Sequence, residues 1–163
     1  MRRSTITTFH AAGGAFALLT ITAFWSSAAY AEPALGHSDI AEVRTVIAYA
    51  LPVLIAFFAT AGATGNRLAG HSKAPIVLAK MRRMKLAAAN GLLVLVPSAI
   101  FLAIQARAGE FDGWFAAVQA IELIAGAINI ALLALNMRAG VTMRSRRLSK
   151  RRSAPSLVGE RVA

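Results

Sequence analysis

The chain of 163 residues is 57% apolar and only 15% charged, whereas soluble domains are roughly 25% charged, which argues against a soluble globular protein. It contains no cysteine, and this excludes disulfide bonds, thiolate catalysis and cysteine-ligated metal centres. The formal net charge of +11 would suit nucleic acid, but the basic runs lack interleaved aromatic residues, so we predict no nucleic-acid partner.

Four apolar stretches follow one another along the chain, at residues 11–31, 46–64, 86–106 and 114–135. Each is close to the ~20 residues that a helix needs to cross ~30 Å of hydrocarbon, and backbone groups in lipid must be hydrogen-bonded within their own segment. We therefore predict an all-α polytopic membrane protein, a four-helix bundle over residues 11–140. Residues 1–10 precede the bundle, and the basic residues 141–163 have too few apolar side chains to fold, which predicts a disordered tail.

The first stretch also matches a secretory signal peptide. A basic start precedes it, and Ala29, Tyr30 and Ala31 form an A-x-A cleavage motif. Against cleavage, the apolar run is longer than the ~7–15 residues of a signal core, and Trp25 and Tyr30 lie where interfacial aromatic residues would anchor an uncleaved helix. We favour the uncleaved form; cleavage would leave three helices in the same orientation.

Residues that shape helices lie around the second and third stretches. Gly62 and Gly65 close the second stretch and predict a close approach of a neighbouring helix. Residues 71–85, HSKAPIVLAKMRRMK, predict a short interfacial helix with Pro75 in its first turn. Pro97 frees a carbonyl one turn back in the third stretch and predicts a kink there.

Basic residues are distributed unevenly between the ends of these stretches. Sixteen of the 18 Lys and Arg residues lie before the first stretch, between the second and third, or after the fourth, and only Arg44 and Arg107 lie in the other two connections. Five of the seven acidic residues lie beside those two arginines. The positive-inside rule therefore places both termini and the 65–85 segment in the cytoplasm.

Polar side chains fall on one face of the third and fourth stretches. On each stretch they recur at helical spacing within an arc of about 100°. A stripe that narrow faces the bundle interior, where most Asn, Gln and Ser side chains hold helices together. The predicted intramembrane polar site consists of Glu122, Gln119, Asn129, Asn136, Asn90 and Ser98.

Glu122 is the unusual member of this set, because an ionised side chain at membrane depth costs at least ~2.5–3.5 kcal/mol. We expect no cationic side chain at its depth, since Arg44 and Arg107 start near the outer surface and should extend outward. Glu122 should then be protonated, hydrated in a cavity, or paired with a group outside the chain. A neutral structural Glu122, which Gln could replace, and a functional Glu122 both stay open.

Two other sets of residues are candidate ligand contacts. Cytoplasmic cations close to the membrane contribute about 1 kcal/mol each when they meet anionic head groups. These predicted lipid-facing residues are Arg82, Arg83, Arg144, Arg146, Arg147, Lys150, Arg151 and Arg152. His10 and His71 are weak metal or haem candidates, because no ligand-spacing motif accompanies them. No P-loop, nucleophile-elbow or HExxH motif occurs, so we predict no enzyme activity, no bound metal and no cofactor.

Over residues 65–140, the segments KMRRMKLAAANGLLVLVPSAIFL and FDGWFAAVQAIELIAGAINIALLALNMRAG resemble small four-helix inner-membrane proteins of bacteria that carry no assigned function. The resemblance implies a bacterial inner membrane and an uncleaved first helix. It carries over no site residue.

Three roles fit these features. We favour a non-enzymatic accessory or scaffold subunit that associates with other membrane subunits or with itself, because the loops are too short for a soluble active site and the helices are rich in small residues. The alternative is a small proton, cation or solute carrier centred on Glu122 and the Asn stripe. A membrane haem or quinone protein is the weaker alternative.

Overall fold

The computed structural model describes residues 3–152, which are almost entirely helical. The elements are α1 (Arg3–Ala34), α2 (His37–Ala69), α3 (Pro75–Asn90), a π-helical segment (Gly91–Leu95), α4 (Val96–Ala108) and α5 (Gly113–Arg152). We call α3, the π-helical segment and α4 together the third span, since they follow one another without a break.

Four segments are long and apolar enough to cross a membrane: Ser4–Ala34, His37–Ala69, Pro75–Ala108 and Gly113–Met143. The all-α four-helix bundle predicted from the sequence is therefore confirmed. At roughly 1.5 Å per residue, these segments of 31–34 residues are about 46–51 Å long, against about 30 Å of hydrocarbon. Every helix thus extends beyond the apolar stretch that predicted it.

The helices are arranged as a ring in the order α1, α2, third span, α5. Each helix packs against its two neighbours in the ring, and within residues 3–152 no Cα pair closer than 8 Å joins α2 to α5 or α1 to the third span. Helices α2 and α5 are therefore diagonal to each other across the bundle axis. Because both follow a short connection at the same end, they also run parallel.

The two ends of the bundle differ in charge, and we name them accordingly. The acidic end carries the α1–α2 and α4–α5 connections, which meet where the rings of His37 and Phe111 stack at 4.2 Å. Ala31, Ile40, Leu102, Ala106 and Phe115 form a buried cluster just inside this end. The basic end carries the α2–α3 connection and the beginning of α1.

Two glycines allow α1 to pack closely on its neighbours. A Cβ on Gly13 would lie 3.3 Å from the Phe57 carbonyl oxygen of α2, and a Cβ on Gly126 of α5 would lie 2.7 Å from Cδ1 of Trp25. The predicted close approach at Gly65 is made by the ring of His10, whereas Gly62 meets only the end of the Met84 side chain at 3.9 Å.

The third span differs from its predicted form in two places, at its beginning and in the turn before Pro97. The segment predicted as an interfacial helix does begin at Pro75, but it continues straight into the bundle and packs along α5. Its side chains pack against a neighbouring helix, which favours that continuation over a position on the membrane surface. The irregularity predicted before Pro97 takes the form of the π-helical segment, where the Val96 amide donates to the Gly91 carbonyl. Proline has no amide proton to give the carbonyl one turn back, and a wider turn accommodates this.

The basic tail also departs from prediction. Helix α5 continues to Arg152, so residues 141–152 are helical, and the prediction of disorder is wrong there. Extending an existing helix costs far less than nucleating a new one, and Arg, Lys, Met and Leu are good helix formers. The remainder of the predicted tail, residues 153–163, lies outside the described residues.

Candidate functional site

Arg44 lies on α2 near the acidic end and is only 1% exposed. Its Nη1 donates to Oε2 of Glu122, and its Nη2 donates to Oε1 of Gln119. Both acceptors are on α5, the helix diagonal to α2, so the long arginine side chain crosses the bundle axis. The planar guanidinium is suited to this role, because it holds several donors in a fixed fork.

A second carboxylate completes this group. Oε1 of Glu32, near the end of α1, lies 3.7 Å from Nη2 of Arg44. This oxygen is buried and has no hydrogen-bond partner within the described residues. We call Arg44, Glu122, Gln119 and Glu32 the Arg44 cluster. It joins α1, α2 and α5, and it places two carboxylates around one guanidinium.

The pairing overturns two expectations from the sequence. Arg44 does not extend outward, and Glu122 does have a cationic partner within its own chain. The reason is depth: Arg44 is the eighth residue of α2 and Glu122 the tenth residue of α5, so both lie roughly 10–14 Å from the start of parallel helices. The apolar stretch begins only at Val46, whereas the helix begins at His37. Residue counts taken from the loop before each helix, rather than from the first apolar residue, would have placed Arg44 and Glu122 at similar depths.

A partly open cavity of about 50 Å³ lies beside the cluster. All four spans contribute to its wall, including Trp25, Leu51, Leu95 and Leu123, and Glu122 is the charged residue that lines it. A water molecule needs roughly 10–15 Å³ of such space. The cavity therefore has room for a few water molecules beside Glu122.

Trp25 closes one side of this cavity. Its Nε1 donates to the Leu123 carbonyl at 2.8 Å, and its ring lies against Gly126. The sequence predicted Trp25 in an interfacial aromatic belt, whereas the structure places its indole partly buried between α1 and α5. Tyr30, the other residue assigned to the belt, is 66% exposed.

The asparagines of the predicted site form a separate layer deeper in the bundle. Nδ2 of Asn90 donates to Oδ1 of Asn129 at 3.0 Å and to the Ala125 carbonyl at 2.9 Å. Nδ2 of Asn129, which is 2% exposed, donates to the Ala87 carbonyl at 3.2 Å. These bonds tie the third span to α5 with both amides engaged.

The other predicted site residues do not join either group. Asn136 donates to the Lys80 carbonyl at 3.3 Å, near the basic end. Ser98 is buried on α4. Within residues 3–152, no hydrogen bond connects Ser98 or Asn90 to Glu122. The predicted stripe is thus three separate sets of contacts rather than one site.

The histidine candidates are apart from these layers. Nδ1 of His10 donates to the Ala61 carbonyl of α2 at 3.0 Å, and His71 is exposed in the connection before α3. Among the described residues, no group of three His, Cys, Asp or Glu side chains could hold a metal ion. His10 instead packs α1 against α2.

The lipid-facing basic set is described only in part. Arg82 is exposed and Arg83 partly so. The side chains of the remaining members lie outside the described part of the structure: Arg144, Arg146, Arg147, Lys150, Arg151 and Arg152.

No family model matches the chain, and it has no match among curated proteins or solved structures. The resemblance to small bacterial inner-membrane proteins therefore stays a prediction.

Proposed function

We propose that this multi-pass membrane protein is a non-enzymatic accessory or scaffold subunit of a membrane assembly. The observation that supports this role is the use of its interior polar groups. The Arg44 cluster and the Asn90–Asn129 layer bond one helix to another, and the cavity beside them holds no more than a few waters. Such an interior gives the bundle a fixed shape and leaves its outer surface for partners.

A fixed shape is what buried polar pairs supply best. An ion pair removed from water gains little stability over apolar residues, but it selects the arrangement in which both charges are satisfied. Here the guanidinium of Arg44 is satisfied only when α2 and α5 lie diagonally at matched depth. Scaffold subunits need a single arrangement of this kind.

The proposed setting is a bacterial inner membrane, with both termini in the cytoplasm. The support is the distribution of charge: the basic end carries nearly all of the Lys and Arg residues, and basic segments are retained on the cytoplasmic side. Fusions of alkaline phosphatase and of a fluorescent protein after Arg152 test this orientation. A fluorescent, phosphatase-inactive chain is expected. A phosphatase-active, non-fluorescent chain would show that the termini lie on the other side of the membrane.

Purification from native membranes tests the scaffold role. We expect the tagged chain, extracted in mild detergent, to retain a stoichiometric membrane partner whose abundance falls when this chain is deleted. A second tagged chain carrying Arg44→Leu should lose that partner, because its helices no longer hold one arrangement. A chain that purifies alone, with no protein dependent on it, would contradict the proposal.

A carrier role is the second candidate, and the cavity bordering Glu122 is the observation that favours it. Proton or cation flux through proteoliposomes containing only this chain would support it, provided that Glu122→Gln abolishes the flux and Gln105→Ala does not. Both residues are polar and partly buried, but only Glu122 borders the cavity. Absence of flux would contradict the carrier role and favour the scaffold role.

A further inference from the structure

The basic end contains a cationic side chain that forms no ion pair within residues 3–152. Lys80, on α3, is partly buried between the helices. Its Nζ lies over α5, only 3.3 Å from where a Cβ on Gly140 would be. No salt bridge involving Lys80 occurs within residues 3–152, in contrast to Arg44.

Within residues 3–152, no carboxylate lies at the end of the bundle that holds this lysine. The acidic residues of the described chain all belong to the acidic half of the bundle: Glu32, Asp39, Glu42, Glu110, Asp112 and Glu122. Glu160 lies outside the described residues. A partly desolvated ammonium without a partner is unfavourable, so an anion from outside the chain would be bound here in preference to water.

Other polar groups face the same region from the remaining helices. His10 of α1 lies at the same end of the bundle, where its ring packs against Gly65 of α2. Thr64 of α2 lies 3.4 Å from Nδ1 of His10, and Asn136 of α5 bonds the Lys80 carbonyl. We call His10, Thr64, Lys80 and Asn136 the basic mouth.

The imidazole of His10 can contribute a second donor to an anion. Its Nδ1 must carry a proton, because the atom it contacts is the Ala61 carbonyl oxygen, which can only accept. Nε2 is therefore the nitrogen that gains a proton when the ring becomes charged.

We propose that the basic mouth binds a phosphate group, with Lys80 as its main ligand. Lysine binds phosphate as a point charge, and basic pockets between transmembrane helices bind the phosphates of anionic lipid head groups. The group can come from such a head group or from a free phosphate compound. This site differs from the exposed basic residues at the surface, because Lys80 is partly buried and its Nζ lies against α5.

Isothermal titration calorimetry on the purified full-length protein in detergent tests the site, with phosphatidylglycerol and inorganic phosphate as separate probes. We expect saturable binding of one equivalent, weakened about tenfold by Lys80→Met, since hydrogen bonds to charged groups are of that strength. Lys85→Met is the matched control: it removes the same charge from an exposed position on the same helix and should leave binding unchanged. Binding of the lipid alone assigns a head group, and binding of both probes in competition assigns a free phosphate.

A second pair of variants tests the site with Lys80 intact. Gly140→Asp places a carboxylate beside Nζ and should abolish binding, whereas Gly140→Ala should not. Equal losses in Lys80→Met and Lys85→Met, or no saturable binding of either probe, would overturn the proposal.

Discussion

Each end of the bundle contains a cationic side chain, and the two cations differ in their burial and in their partners. At the acidic end, Arg44 is fully enclosed and has two carboxylates and an amide oxygen around it. At the basic end, Lys80 is only partly enclosed, and no carboxylate of the described chain is near it. The comparison shows that one cation belongs to the fold, while the other is available to a ligand.

The difference in enclosure follows from the difference in partners. Full burial of a charge is tolerated only when it is paired and hydrogen-bonded, which is the situation of Arg44. Lys80 keeps part of its surface open, since a flexible ammonium can remain partly hydrated. We therefore expect mutations at the acidic end to change stability and mutations at the basic end to change binding.

The largest effect is expected from breaking the Arg44 pair. Glu122→Leu leaves a buried guanidinium with only the amide oxygen of Gln119 and the more distant Glu32 around it, and it should lower the free energy of unfolding by about 3–5 kcal/mol. The sequence-based expectation that Gln can replace Glu122 stays a prediction, because Gln keeps an oxygen that can accept from Arg44. Thermal unfolding in detergent, followed by loss of the monodisperse peak, measures the effect.

The double variant Arg44→Leu/Glu122→Leu sharpens the same prediction. Removing both charges should recover most of the loss, because a buried ion pair replaced by apolar residues is close to neutral in stability. A double variant as unstable as the sum of the single variants would mean that the two side chains act separately.

Gly126→Ala tests whether the two ends are independent. The new Cβ would lie 2.7 Å from the Trp25 ring, so α1 and α5 must shift, at a cost of about 1–3 kcal/mol. Phosphate binding at the basic mouth should persist, since the contact lies in the acidic half. Gly14→Ala is the control, because nothing lies within 4 Å of the position where its Cβ would be. Loss of binding in Gly126→Ala would show that the ends are coupled.

Gly140→Asp makes the basic end resemble the acidic end. It gives Lys80 an internal partner and replaces a helical glycine, so we expect a gain of about 0.5–1 kcal/mol in the absence of phosphate. Gly140→Asn separates the two contributions, since Asn has nearly the shape and helix propensity of Asp but carries no charge. Equal stability of Gly140→Asp and Gly140→Asn would show that the negative charge adds nothing.

The smallest effect is expected at Glu32. Its Oε1 is 3.7 Å from Arg44 and its side chain is 28% exposed, so Glu32→Gln should cost less than about 1 kcal/mol. The same thermal assay measures it. A loss as large as that of Glu122→Leu would mean that Glu32, rather than Glu122, is the principal partner of Arg44.

Much of the fold was predictable because hydropathy and helix period act locally. Four apolar stretches sufficed for the four-helix bundle, and helical spacing placed Gln119, Glu122 and Asn129 on one inward face. Element ends were less predictable: the apolar stretch at Val46 began well after the helix at His37. Because the predicted helix began too late, Arg44 was predicted to lie outside the bundle, and its pairing with Glu122 was not predicted.

The sequence by itself determined the class of protein, the inward face of α5 and the separation of charge between the ends. Hydrophobic transfer and side-chain period depend on each residue and its near neighbours, so they can be read directly from the amino-acid sequence. Only the tertiary structure decided that α2 and α5 are diagonal, that Arg44 spans between them and that Lys80 has no carboxylate partner within residues 3–152. Those facts depend on which helices are neighbours and at what depth their side chains meet, and packing of the whole bundle fixes both.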